Sequence, residues 1–428
     1  MSILILHRNP LEPFPYGRWL ADYDGDVVVL AARNMMELFG EEVPTSDLGY
    51  ARLALLDNFD DEELVLKTAL ELAAEYRVRR VIAHHEGDVL TAALLRERLG
   101  LPGPRFADLL PFRDKALMKA RARQAGVAVA AHIVPRTAAE ARDFAERNGF
   151  PLVFKDRAGY GSIGLEILND SVGLERYLAQ RFTRRGPPAR DLLLERYIPG
   201  RICHVDGLVV TGQTVLAWPS QLQYAQSSYR TDVGPRVDLT LDPDDPLTGR
   251  LLKLTDQALA ALQGGGLRDY AFHAEIFHTA DDELVLCEVA ARPGGAKVRD
   301  VLHSLFGFNL AEYATRAQAD LPLPALQEAL RTGERPRPRR MAGQLVMMKR
   351  PGLVRGVPVV PTDPWVDRCW IYARPGQVLQ PPTACFDFLL AAVGWAPTRQ
   401  ECERRLRGLG ARFEAQIDIV TPVTAERG

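Results

Sequence analysis

Residues 273–295 read HAEIFHTADDELVLCEVAARPGG. AFHAEIF and LVLCEVA alternate as strands do, and the polar run between them, centred on Asp281 and Asp282, reads as a turn. In the resulting antiparallel hairpin Glu275 stands opposite Glu288, and His273 stands opposite Ala290. Opposite side chains share a face, with Cβ atoms roughly 4.5–5.5 Å apart. Alternation then places Ala274, Ile276, Val285, Cys287 and Val289 on the other face, as core. Two facing carboxylates repel unless a cation or a proton relieves them, so something positive is expected between them. Two solvated glutamates on an exposed sheet face, or a shifted turn register, suit the hairpin as well, and the rest of the chain has to decide.

The chain has 428 residues, 47% hydrophobic and 25% charged, which suits two or three globular domains. A formal net charge of −2 gives no general attraction to nucleic acid or anionic membranes. Cys203, Cys287, Cys369, Cys385 and Cys402 are widely spread with no CxxC pair. That argues against a disulfide framework or zinc site and for a reducing, cytoplasmic setting. MSILILHRNP is too short an apolar run for a signal peptide, and no segment approaches the length of a membrane span.

The expected architecture has an α/β N-terminal parallel-sheet domain over 1–112, an α+β module over 113–325 and a small C-terminal α+β cap over 326–428. SILILH, VVVLAA, ARLALLD and RRVIAHH alternate with helical stretches such as DEELVLKTALELAAEYRV, the pattern of a parallel sheet. No GxGxxG follows the first strand, so a dinucleotide fingerprint is absent. Asp114 caps a predicted helix DKALMKARARQAG. Strand pairs joined by glycine-containing loops follow, and RTGERPRPRRMAG at 331–343 reads as a solvated linker or loop. GQLVMMK and CWIYA read as strands of the cap, and TRQECERRLRGLGARFEAQI as its helix.

In VFKDRAGYGSIGLEIL, Lys155 closes a strand, and Gly159, Gly161 and Gly164 lie in the loop that follows. Glycines let backbone N–H groups converge on an anion, and lysine supplies a point charge for phosphate oxygens. A glycine-rich hairpin turn with an incidental lysine is the plainer alternative for this loop alone.

Lys115, the Lys155 loop, Glu195, the pair Glu275 and Glu288, and Arg292 before Gly294 and Gly295 follow one order at one set of intervals. This resembles the ATP-grasp superfamily, specifically its carboxylate–amine ligases. The resemblance covers residues 80–320, and KDRAGYGSIG together with HAEIF…CEVAARPGG carries it. It implies ATP and Mg²⁺, with Lys115 and Lys155 on phosphates and the loop of Gly159, Tyr160, Gly161, Ser162 and Gly164 folding over them. It also implies that Glu195, Arg196, Tyr197 and Ile198 hold adenine: Glu195 accepts from the amino group, and the backbone near Tyr197 and Ile198 reads the ring. Glu275 and Glu288 become the magnesium ligands, and Arg292 steadies the transferred phosphoryl group. Magnesium's preference for carboxylate oxygens and phosphates agrees with that assignment independently.

Two positions depart from the pattern. Ile202 stands where an acidic residue often holds ribose, which leaves the ribose contact unassigned, with His204 and Asp206 as guesses. Ala290 replaces a frequent asparagine; water is expected in its place, with His273 bonding a carboxylate or substrate instead of the ion, or simply packed. Other substrate candidates are Glu86 beside His84 and His85, then Tyr229 and Arg230 in the polar loop at 220–236, and Arg299 with Lys297. A packed or capping turn explains the Glu86 segment equally.

The function expected from the resemblance is ATP-dependent amide or peptide bond formation between a small carboxylate and an amine, both amino acids by expectation, through an acyl-phosphate with release of ADP and phosphate. No nucleic acid or membrane partner is expected, and a homodimer stays open. The alternatives are a thiol or bicarbonate nucleophile, a kinase, or a nucleotide-binding module without turnover.

Overall fold

The computed structural model describes residues 2–38, 40–44, 48–182, 191–225, 228, 231–263 and 266–420. Strands β1 (Ser2–His7), β2 (Val27–Ala32), β3 (Arg52–Leu56) and β4 (Val78–Ala83) form a parallel sheet in the order β3-β2-β1-β4. β1 is buried along its whole length because both faces are covered, as parallel sheets require. One face packs on Val65, Ala69 and Leu72 of the helix Glu62–Glu75; the other packs on Tyr16, Trp19 and Ala311, the last from a helix far along the chain.

A second, four-stranded sheet contains β5 (His132–Ile133), β6 (Leu152–Asp156), β7 (Glu166–Leu168) and β8 (Leu192–Arg196), in the order β5-β8-β6-β7. The largest sheet has eight strands. It takes β9 (Arg201–Val210), β10 (Gln213–Leu222), β11 (Arg236–Thr240), β12 (Tyr270–His278), β13 (Leu284–Ala290) and β14 (Met341–Met348). β15 (Gly352–Gly356), β17 (Val378–Leu379) and β19 (Asp418–Val420) form a three-stranded sheet, while β16 (Val366–Ile371) and β18 (Phe388–Ala396) complete the large one. Its order is β13-β12-β9-β10-β11-β14-β18-β16, so the C-terminal strands continue the sheet that carries the hairpin.

Alternation along β12 sorts its side chains between two cores. Phe272, Ala274 and Ile276 join the helices Lys115–Gln124 and Pro246–Leu262 through Met118, Leu251 and Leu259. Ala271 joins Val298, Val301 and Leu302 of the helix Val298–Phe306 on the opposite face. His273 and Glu275 alternate onto that second face.

One expectation changes. The ladder sets His273 against Ala290 and Glu275 against Glu288, then slips, so that Ile276 faces Leu286 rather than Cys287. A bulge there adds a residue to β13, which a two-residue period cannot reveal. Residues 333–340 form the partly exposed loop expected there, pinned where Arg335 reaches Asp256 at 2.6 Å and the Thr214 carbonyl at 3.1 Å, and Met341 begins β14.

Candidate active site

The hairpin supplies the floor. Glu275 and Glu288 are adjacent across the last regular pair before the bulge, with side chains 15% and 26% exposed. Asp114 accepts from the amides of Ala116 and Leu117, which starts the next helix at Lys115 as expected. Lys115 Nζ then lies 3.2 Å from Glu288 Oε2 and donates to the Gly159 carbonyl at 2.6 Å. Burial alone would raise the Glu288 carboxyl, but Lys115 and Lys155 outweigh it and hold the group well below the usual carboxylate range.

The glycine loop between β6 and β7 hangs over this floor. Arg113 donates to the Ala158 carbonyl at 2.5 Å, and Tyr160 sits edge-on to His85 at 5.4 Å. Gly161 has φ +64°, and a Cβ on it would stand 2.5 Å from Phe386 Cε1. Among the described residues the amides of Tyr160, Gly161, Ser162 and Gly164 donate to no backbone carbonyl. Such amides are free to meet an anion.

Lys155 stands at the end of a strand, as the sequence places it, and a buried ion pair holds it there. It belongs to β6, is buried, and lies 3.0 Å from Glu195 Oε2, while Lys119 lies 3.1 Å from Oε1. Burial opposes its charge, yet Glu195 raises the Lys155 pKa strongly. Both Glu195 oxygens thus face an ammonium; burial would raise the carboxyl, but Lys119 and Lys155 hold it below its usual range. The Tyr197 amide is taken by the Pro151 carbonyl at 3.2 Å, which leaves the Ile198 amide as the free donor beside Glu195. Arg196 is exposed, and its amide is bound to the Ala131 carbonyl at 2.9 Å.

Glu86 does reach the site, as a counter-ion. Its two oxygens pair with Arg113 and Arg292, and Arg292 also donates to the Pro293 carbonyl at 2.8 Å. The acid therefore orients Arg292, with each of its oxygens facing a guanidinium. Arg299 lies with its guanidinium 4.1 Å from the centre of the Phe14 ring. Tyr229 and Arg230 lie outside the described residues.

Sequence reasoning missed a buried chain of charge beside the glutamate pair, on the same face of the sheet. His204 Nδ1 is 2.6 Å from Asp206 and its Nε2 2.9 Å from Asp238; His273 Nδ1 is 2.8 Å from Asp206 and its Nε2 3.4 Å from Glu275. With both ring nitrogens on carboxylates, His204 carries two protons. Burial would lower its pKa, but Asp238 and Asp206 raise it well above the usual value. His273 is raised in the same way to about 9, with Asp206 overcoming burial. Three of these residues lie close enough to hold a metal, yet their donor atoms are spent on one another. His204 and Asp206, named as guesses for ribose, are engaged with Asp238, His273 and each other. Gly294 rests on this chain, because a Cβ there would stand 2.4 Å from Asp206 Oδ1 and 3.1 Å from His273 Nδ1. The alternation of His204 and Asp206 in RICHVDGLVV was the available signal.

The residues fit a hard cation. Glu275 and Glu288 offer oxygen donors on one face, beside two lysines and an arginine that suit phosphate.

No family model matches the chain. It is 23% identical over 263 residues to the L-arginine-specific L-amino acid ligase of Bacillus subtilis, across 60% of this chain. The match spans 62% of that relative's length. An L-amino acid ligase from Bacillus licheniformis superposes with a TM-score of 0.76 at 20% identity, covering 98% of each chain. The biotin carboxylase domain of the Hydrogenobacter thermophilus 2-oxoglutarate carboxylase, solved with MgADP, ADP and bicarbonate, gives 0.71 at 17% identity over 98% of this chain and 90% of that one. Among the described residues no helix is long and apolar enough to cross a membrane.

Proposed function

We propose that this chain, which has the ATP-grasp fold, is an ATP-dependent ligase that joins a small carboxylate to an amine, both of them amino acids, with release of ADP and phosphate. The observation that supports the reading is that Lys115, Lys155 and Arg292 all act on the Glu288 carboxylate opposite Glu275, with the glycine loop tied to Lys115 through the Gly159 carbonyl. Likeness to amino acid ligases in sequence and fold supports the substrate class.

Lys115, Lys155 and the amides of the glycine loop bind the phosphates of ATP, while Glu195 and the Ile198 amide meet adenine. Glu275 and Glu288 would hold Mg²⁺, which when bound supplies charge neutralisation at the phosphates. Arg292, oriented by Glu86, lies against the transferred phosphoryl group. A carboxylate oxygen attacks the γ-phosphorus and the bond to ADP breaks. The amine then adds to the acyl carbon, phosphate leaves, and the nitrogen loses a proton. The chain's work is positioning, charge and exclusion of water, since water would hydrolyse the acyl-phosphate.

The test is a screen of amino-acid pairs for ADP release, with mass analysis of the products. ADP and a condensed product that appear together, and only with both substrates present, are the expected result. ATP binding with no turnover across the screen counts against the reading, as does ADP release with a carboxylate alone and no condensed product.

A further inference from the structure

Beyond the GlyGly turn the chain places two cations that the phosphate chemistry does not use. Lys297 Nζ lies 3.9 Å from the centre of the Trp370 ring and 5.4 Å from that of Tyr372, and the Arg299 guanidinium lies 4.1 Å from the Phe14 ring. Both residues are half-buried. Among the described residues neither pairs with a carboxylate, and the adjacent Asp300 is taken by Arg368 at 3.0 Å. Aromatic faces attract a cation but accept no conventional hydrogen bond from it. Burial consequently lowers the pKa of both, Lys297 to about 8. No carboxylate among the described residues is bonded to the pair, and Asp300 and Glu12 favour the Lys297 charge only from farther off.

The location says which anion. Arg292 stands on the phosphate side, Gly294 packs on Asp206 and His273, and the chain runs directly on to Lys297 and Arg299. The Lys297 amide donates to Gln344 Oε1 at 3.0 Å, and Gln344 Nε2 donates to Asp238 at 2.7 Å, so this end is tied to the chain of charge that reaches Glu275. Phosphate already has its own lysines, arginine and amides. Here Phe14, Trp370 and Tyr372 wall the cations, a setting for an amphipathic molecule with one carboxylate. A guanidinium fork matches a carboxylate in shape and charge.

We propose that Arg299 and Lys297 form the subsite for the carboxylate that is not activated, the α-carboxylate of the amino acid whose amine is the nucleophile. The assignment rests on the ligase reading and narrows it: the amine substrate carries a free carboxylate, and the product keeps it.

The experiment compares each amino acid with its amide, which lacks the carboxylate. Trp370 reports binding directly through its fluorescence, with Trp370→Phe assigning the signal. For the amino acids that bind, half-saturation is expected at least about ten-fold below that of the amide, the scale of one charge-assisted hydrogen bond. Arg299→Gln is expected to remove that difference, Arg299→Lys to restore part of it, and MgADP binding to stay unchanged in both. In turnover the KM for the amine rises while the KM for ATP holds. Equal binding of acids and amides by the wild type overturns the subsite, and so does an Arg299→Gln loss that is equal for both. The ligase reading fails separately: no pair releases ADP, while acids still bind better than amides and Arg299→Gln abolishes the preference.

Discussion

Lys115 joins the two halves of the candidate site: its ammonium lies 3.2 Å from Glu288 Oε2 and donates to the carbonyl of Gly159 at 2.6 Å. One side chain thus holds the floor carboxylate and the glycine loop together. Lys115→Met is expected to raise the KM for ATP by about ten-fold or more, the scale of one charge-assisted contact, and to speed proteolysis within residues 158–164. An unchanged cleavage rate in limited proteolysis would refute the tie to the loop.

Removing a like charge from a facing pair would ordinarily stabilise a metal-free hairpin. Here it is expected not to, because Lys115 and Lys155 already hold Glu288 ionised against the cost of burial. A carboxyl lowered on folding contributes stability that is present above its unfolded value of about 4.5 and is lost as pH falls through the folded value. Glu288→Gln should therefore melt below the wild type at pH 7, converge with it in acid, and lose most turnover at any Mg²⁺ concentration. Thermal melts across pH in a chelator check the first part.

Lys155→Ala should lose at least about ten-fold in turnover, and it should also lose stability. Breaking one partner from a buried pair costs on the order of 3–5 kcal/mol, and Lys155 and Glu195 are only 10% and 6% exposed. Lys119 on the other oxygen offsets part of that. Urea unfolding of Lys155→Ala beside Lys155→Met separates the charge effect from the packing effect: methionine refills the volume, so Lys155→Met is expected to be the more stable of the two while still below the wild type.

Gly161 meets Phe386 on one side and needs a left-handed backbone on the other. Alanine there faces a contact of 2.5 Å and a left-handed cost of roughly 1–2 kcal/mol. Gly161→Ala should lower kcat/KM for ATP, and adding Phe386→Ala should restore only part. Full recovery in the double variant would mean that the backbone angle is unimportant.

Carboxylate binding beside Lys297 should weaken as pH rises through about 8, where burial has placed its pKa. Asp300 and Glu12 favour its charge, Arg299 and Arg368 oppose it, and Tyr372 lies against it. The lysine pKa is lowered on folding, so its buried charge costs stability below about 8, and the cost fades as pH rises toward 10.5. Binding measured by Trp370 fluorescence, not turnover, is the readout, because the amine nucleophile gains reactivity as it deprotonates. Lys297→Gln should bind more weakly and lose the step near 8.

The glutamate pair was legible because a period of two with polar residues on one face leaves few registers. The slip at Cys287 was not, since a bulge depends on how β12 also pairs with β9, a strand distant in sequence. Lys119 shows the same limit. On the predicted helix it is one of several basic residues, and only the arrival of Glu195 and the Cys287 carbonyl, at 2.9 Å, makes it a buried charge. Asp114 was readable as a cap because its partners lie within three residues. Glu86 and Arg292 were singled out separately, and no local pattern announces that they pair.

The eight-stranded sheet has a consequence for the order in which the molecule is made. β11 sits in its middle, and its outer edge pairs with β14, from Arg236 against Val346 to Leu239 against Gly343. During synthesis the glutamate hairpin emerges before β14 and can dock on β9, while β11 waits with an open row of amides and carbonyls until residues beyond 340 leave the ribosome. Val237 and Leu239 wait with it for the helix Arg399–Gln416 that finally covers them. An open edge beside uncovered apolar side chains is the form of a nascent chain most exposed to self-association. The C-terminal strands are the sheet's closing partner, and a chain truncated before them would keep its candidate site residues and lose its solubility.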